Sequence, residues 1–276
     1  MQRLTRLALA AALVATASPA RAQHDSPDEN DARWLDQCRN HGSRSSDERG
    51  RACEVRDVPM RLRSRSIEVD GRQNGSIRVE GWSADSVRVT ARLYASARDD
   101  AAAEQILRDV KVVADARGVR AEGPDAGWRD NWSVSYAVRV PRRFDLSLEA
   151  HNGALGVANV VGKMALNTVN GSLALRDVGG DVHARTQNGS LHLELSGERW
   201  EGGSLDAETQ NGSVRLSLPE KYAAQLETGT VNGSIHTDFP VTLQGRISRR
   251  LDLPLNGGGP TIRATTTNGT VRISKR

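Results

Sequence analysis

Apolar residues return at fixed offsets around an Asn-Gly step that recurs through residues 146–276: Asn152-Gly153, Asn170-Gly171, Asn188-Gly189, Asn211-Gly212, Asn232-Gly233 and Asn268-Gly269. Six residues before each Asn stand Leu146, Met164, Val182, Leu205, Leu226 and Ile262. Three after it stand Leu155, Leu173, Leu191, Val214, Ile235 and Val271. The position two before each Asn holds Ala150 and then Thr168, Thr186, Thr209, Thr230 and Thr266. This alternation predicts a strand into each step and a second strand out of it, with the inward phase shifted by one residue at the glycine.

Asn-Gly between alternating runs usually signals a two-residue hairpin, because both residues tolerate positive φ. A fixed period with like residues at like positions points instead to a solenoid, whose coils bury their apolar faces by stacking. Successive Asn residues are 18, 18, 23, 21 and 36 apart, which suits two strands of about 5 to 6 residues and two corners per coil. The last interval predicts two coils, one without its Asn-Gly, with strands at 241–243 and 251–253. The expectation is an all-β chain, a β-solenoid of stacked two-strand coils with Asn-Gly corners; an antiparallel meander competes with it. On this phase the Asn column faces inward, where side chains would hydrogen-bond from coil to coil. Plain turn chemistry accounts for the same residues equally well.

Residues 1–22 carry Arg3 and Arg6, an apolar run over 7–17 and a small-x-small Ala20-Arg21-Ala22, the pattern of a secretory signal peptide. The run is shorter than the roughly 20 residues of a bilayer span, and no later segment reads as transmembrane. The mature protein is therefore expected to be exported, to the periplasm or cell surface. The chain's formal charge of +4 falls to +1 once the three signal-peptide arginines are removed, which supplies no concentrated basic face for nucleic acid.

Residues 23–58 form a polar, loop-like extension bearing Cys38 and Cys53. In an oxidising compartment this pair reads as a disulfide, contributing roughly 3 kcal/mol in the chain-entropy model; a redox or metal role, with His41 nearby, is the alternative. Residues 59–145 are expected to hold strands at 66–69, 75–79, 86–94, 111–114, 118–121 and 133–140, and a helix over 99–109 that caps the open end of the repeats. Asn74-Gly75 repeats the later step, but Glu68 and Asp70 occupy positions that are apolar in most later repeats. It marks either an atypical first coil or a hairpin in a capping sheet.

The corners Thr168-Val169-Asn170-Gly171-Ser172, Thr186-Gln187-Asn188-Gly189-Ser190, Thr209-Gln210-Asn211-Gly212-Ser213 and Thr230-Val231-Asn232-Gly233-Ser234, with the upstream order of strands and helix, resemble the bacterial putative-adhesin family of β-strand-repeat proteins, a domain of unknown function. The likeness covers roughly residues 67–274. It implies a β-solenoid at the cell envelope and carries no catalytic motif.

Catalysis on a solenoid face needs clustered carboxylates. The outward columns read Glu149, Asn167, Arg185, Glu208 and Ser147, Ala165, His183, Asp206, Gln225, Arg263, without stacked acids. Asp206 and Glu208 are the best acid pair, and the sequence offers no cofactor or metal site. The favoured reading is a non-catalytic envelope module that binds an envelope protein or an anionic glycan such as lipopolysaccharide. A carbohydrate-active lyase or hydrolase, using an exposed face or Trp128 and Trp132, is the alternative. The candidate binding patch is cationic: Arg215, His236 and Arg272 on one outward row, merged with Arg249 and Arg250.

Overall fold

The computed structural model describes residues 27–40, 49–60, 64–116, 118–125, 127, 129–240 and 249–276. Residues 1–22, expected to form a signal peptide, His41, Trp128 and the strand expected at 241–243 lie outside the described residues. Helix α1 (Pro27–Asn40) and strand β1 (Gly50–Val58) precede a first strand pair, β2 (Ser66–Asp70) and β3 (Ile77–Trp82). Then come β4 (Arg88–Ala97), α2 (Asp100–Asp109), β5 (Lys111–Ala114), β6 (Gly118–Glu122) and β7 (Asn131–Pro141). The repeats supply β8 (Asp145–Ala150) with β9 (Leu155–Ala158), β10 (Val161–Thr168) with β11 (Leu173–Arg176), and β12 (Gly179–Asn188) with β13 (Leu191–Glu194). They continue with β14 (Ser204–Asn211) and β15 (Val214–Leu218), then β16 (Ala224–Asn232) and β17 (Ile235–Thr237). Strand β18 (Arg250–Leu255) stands alone before β19 (Thr261–Asn268) and β20 (Val271–Lys275).

Within each repeat the two strands enter different sheets and pair in parallel with the equivalent strands of neighbouring repeats. The result is an all-β chain with a β-solenoid-like repeat. A hairpin at Asn-Gly would instead place both strands antiparallel in one sheet. The inward columns meet in register: Leu173 faces Leu191, Leu191 faces Val214, and all are buried. Asn74-Gly75 also joins a coil, since β2 and β3 run parallel to β8 and β9. Its phase looks wrong in sequence because one extra residue stands before the corner. Ile67 pairs with Leu146 and Val69 with Leu148, and Arg72 absorbs the insertion at a φ of 53°.

At the N-terminal end the sheets change character. One continues through β7, β4 and β1, the last two joined antiparallel; the other ends in β6 and antiparallel β5. Helix α2 starts with Asp99 accepting a hydrogen bond from the Ala102 amide and buries Ala103 and Leu107. Arg56 of β1 donates to the Leu107 and Val110 carbonyl oxygens at the helix's far end, both at 2.8 Å, where cations complement the helix dipole. The hydrogen bond to Arg56 holds the Glu54 carboxyl below its usual range.

The extension read as loop-like contains a helix and a strand. Arg92 alternates with buried Ala91 and Leu93 and so points outward. It binds Asp31 of α1 at 2.7 Å and lies 5.9 Å from the centre of the Trp34 ring. A Cys38–Cys53 disulfide ties α1 to β1.

The C-terminal end departs from the sequence reading. The 36-residue interval is not two successive coils: β18 returns antiparallel along β16, and β19–β20 then insert between β14–β15 and β16–β17. The stack is therefore ordered with its last repeat next to last. Three consecutive glycines, Gly257, Gly258 and Gly259, turn the chain at φ values of 93°, 81° and 154°, which L-residues adopt only with strain. Asn256 Nδ2 anchors this turn on the carbonyl oxygens of Glu220 and Tyr222.

Candidate functional site

At the Asn-Gly corners the Asn side chains are exposed rather than inward. They nevertheless form a continuous ladder in which each Nδ2 donates to the next Oδ1. From Asn232 the bonds run to Asn268, Asn211, Asn188, Asn170, Asn152 and Asn74, at 2.7–3.1 Å. Behind them the buried Thr hydroxyls donate to glycine carbonyl oxygens of the adjacent coil, Thr168 to Gly153, Thr186 to Gly171 and Thr209 to Gly189. The corner glycines do not have positive φ. They are needed because the coils approach closely: a Cβ on Gly212 would lie 2.0 Å from the Gly189 carbonyl oxygen.

The two sheets present different outer faces. On the sheet that includes β14, cations stand beside acids. Arg263 binds Glu227 at 2.9 Å, Arg185 lies 3.8 Å from Glu208, and His183 lies 3.8 Å from Asp206. Glu227, not Gln225, continues the Asp206 row, since Arg263 pairs with both Asp206 and Glu227 while Gln225 pairs with Thr261. The carboxylates of Asp206 and Glu208 are thus drawn into cross-strand charge pairs.

On the sheet that includes β15 the outward row reads His192, Arg215, Arg272, His236 across neighbouring strands. All four are exposed, and neither Arg215 nor Arg272 has an ion-pair partner among the described residues. Desolvation first, and then the Arg215 charge, lowers the His192 pKa, which favours its neutral form beside the arginine. Ser234 Oγ lies 3.1 Å from His236 Nε2.

The sequence-predicted patch is therefore split. Arg215, Arg272 and His236 form one row, in that order because of the inserted repeat. Arg250 begins β18 in the opposite sheet opposite Gly229, and Arg249 donates to the Val231 carbonyl oxygen. The charges of Arg249 and Arg250 do not extend the row on its own face. His192 falls in the same column of the sequence, four residues after its Asn, but was left out of the candidate patch; the structure sets it in register with Arg215.

Among the described residues no cluster of three or more His, Cys, Asp or Glu is placed to hold a metal ion. No described helix is long and apolar enough to cross a membrane. Trp132 lies partly against the core, its Nε1 donating to the Pro124 carbonyl oxygen at 2.8 Å.

A repeat of parallel strands with broad, solvent-facing sheets defines a class of β-solenoid-like surface-presenting folds. The chain belongs to the family described as Toastrack DUF4097, whose model matches residues 134–274. It is also similar to solved structures of low identity. One is a putative adhesin from Bacteroides fragilis, 13% identical, covering 82% of this chain and 97% of that one at a TM-score of 0.42. Another is a putative cell adhesion protein from Clostridium sporogenes, 7% identical, covering 82% and 100% at 0.39. A third is a putative lipid binding protein from Parabacteroides distasonis, 10% identical, covering 81% and 96% at 0.29. No curated protein matches the chain.

Proposed function

We propose that the protein is a non-catalytic, exported binding module of the cell envelope. The stacked coils and their Asn-Gly corners serve as a scaffold, and the His192–Arg215–Arg272–His236 row engages an anionic envelope component. One observation carries this reading: Arg215 and Arg272 stand directly opposite each other on adjacent strands, with no ion-pair partner for either among the described residues. Like charges opposed across a sheet are destabilising, so the arrangement costs stability unless an anion lies over it. The other face supports the contrast, because Arg185 and Arg263 there stand beside Glu208 and Glu227.

The Cys38–Cys53 disulfide fits an oxidising compartment, and the signal-like residues 1–22 fit export. Phosphate-bearing lipopolysaccharide has the chemistry to match paired guanidinium groups. Binding of the mature protein to purified lipopolysaccharide, at low and high salt, tests the reading. The Arg215→Glu, Arg272→Glu variant is expected to bind on the order of tenfold more weakly at low salt, and wild-type binding is expected to fall as salt screens the exposed charges. Equal and salt-independent binding by both proteins would remove the row from the account. Glycan turnover that disappears in an Asp206→Asn, Glu208→Gln variant would instead establish the enzyme.

A further inference from the structure

At the N-terminal end of the stack, a cavity of about 420 Å³ opens between the first Asn-Gly corner and the strands that cap it. That volume lies within the usual range of small-molecule sites. Its walls include Gln73, Asn74, Glu122, Asp125, Asn131 and Trp132. We propose that this cavity binds an uncharged sugar residue, stacking its apolar face against the Trp132 ring and bonding its hydroxyls to the surrounding amides and carboxylates.

Three features support this assignment. First, the groups are held in place. The indole is fixed by its Nε1 bond to the Pro124 carbonyl oxygen, with Gly123 packed close against the ring. Asn74 accepts from Asn152 at 3.1 Å and donates to Asn131 Oδ1 at 3.3 Å, so the corner ladder ends in the cavity and orients these amides. Asn131 Nδ2 has no partner among the described residues, which leaves its donors available to a ligand.

Second, the backbone at the rim is strained. Arg72, which also lines the cavity, has a φ of 53°. It is held there by its amide bond to Asp70 Oδ1 at 2.7 Å and by a bond from Nε to the Ala121 carbonyl oxygen at 3.3 Å. Left-handed non-glycine residues are concentrated at ligand-binding sites.

Third, the charge balance selects the ligand class. Arg72 is paired with Asp70 at 3.4 Å and Glu122 with Arg120 at 3.2 Å, which leaves Asp125 as the remaining charge among the described lining residues, so an anion is disfavoured and the site is distinct from the cationic row. A cationic amine would call for several aromatic faces, and Trp132 is the one aromatic side chain among the described lining residues. Amides, carboxylates and a single indole match instead the mixed apolar and hydroxyl surface of a sugar ring.

The test titrates the mature protein with the methyl glycosides of glucose, galactose, mannose and N-acetylglucosamine, following tryptophan fluorescence and amide chemical shifts, with choline as the cationic comparison. Saturable binding of at least one glycoside is expected, with shifts at Asn74 and Asn131. Asn131→Ala is expected to weaken it at least tenfold while lowering the Tm only slightly, since it removes one exposed bond at the end of the ladder. Trp132→Phe, which keeps a ring in place, is expected to weaken it less. Absence of saturable binding by all four glycosides would overturn the proposal, as would equal binding by the Asn131 variant or binding of choline alone. None of these readouts depends on Arg215 or Arg272, so this proposal and the lipopolysaccharide reading fail separately.

Discussion

The coils from β8 to β15 stack in the order in which they are synthesised, whereas those from β16 to β20 do not, although both regions use the same corner and the same inward columns. In the first region each coil finds its neighbour 18 to 23 residues away. In the second, β19–β20 occupy the slot beside β14–β15 and push β16–β17 to the end. The repeat chemistry therefore specifies a coil but not its address. Val271 and Ile235 both fit beside Val214 in size and phase, and what decides between them lies outside the repeat. The antiparallel return of β18 and the three-glycine turn bring the chain back to the start of β16. Pro254, which lacks an amide hydrogen, suits β18 as the last strand of its sheet.

The most severe way to separate the regions is to charge their cores. Leu191 is fully buried between Leu173 and Val214. Leu191→Asp would bury an unpaired carboxylate, costing several kcal/mol or more, a large part of a typical folding free energy of about 5–15 kcal/mol. No folded protein is expected by circular dichroism. Ile235→Asp, on the half-exposed end strand of its sheet, is expected to leave a folded protein with a lowered Tm. Similar outcomes for both would contradict the difference in burial.

A smaller effect is expected from the corner glycines. The Cβ of a Gly212→Ala variant would meet the Gly189 carbonyl oxygen at 2.0 Å, and that of Gly233→Ala would meet the Gly269 oxygen at 1.9 Å. The clashes are alike, but Gly212 has coils on both sides while Gly233 belongs to the last. Denaturant unfolding is expected to show a loss of about 3 kcal/mol for Gly212→Ala, in the range of overpacked sites, and roughly half that for Gly233→Ala. Equal losses would show that the end coil is as rigid as the middle.

The stack order itself is tested by coupling. Val214→Ala and Val271→Ala remove side chains in register, so their double-mutant cycle is expected to give an interaction of about 1 kcal/mol. Val214→Ala and Ile235→Ala are expected to add within about 0.5 kcal/mol. Coupling in the second pair and additivity in the first would restore the sequential order.

What was legible in the sequence follows the same division. Strands and inward columns could be read because apolar alternation is local, and Thr168, Thr186 and Thr209 could be placed inside because they share that phase. The insertion of β19–β20 was hidden by the equivalence of the columns. The Asn column was assigned to the interior by extending the strand phase into the corner, where the backbone turns away and exposes it. The first coil looked irregular because positive φ at Arg72, unlike that at a glycine, has no compositional signature. As for the candidate binding row, its residues were readable but its continuity was not: Arg215 meets Arg272 only after the stack order is known.

The finest distinction concerns the Asn ladder, which passes through both regions without interruption. Asn211 donates to Asn188 at 2.9 Å and accepts from Asn268 at 2.7 Å, whereas Asn232 at the end of the ladder donates to Asn268 at 2.8 Å. An intramolecular hydrogen bond contributes about 0.5–1.5 kcal/mol net, and these exposed ones belong near the lower end because water replaces a lost partner. Asn211→Ala is therefore expected to cost about 1 kcal/mol and Asn232→Ala about half as much. Asn211→Asp sharpens the attribution, since a carboxylate loses the donor to Asn188 but still accepts from Asn268. It should fall between wild type and Asn211→Ala in thermal unfolding above pH 6, where the carboxyl is ionised. If Asn211→Ala and Asn232→Ala cost the same, the stabilisation belongs to each corner separately and the continuous ladder adds nothing to it.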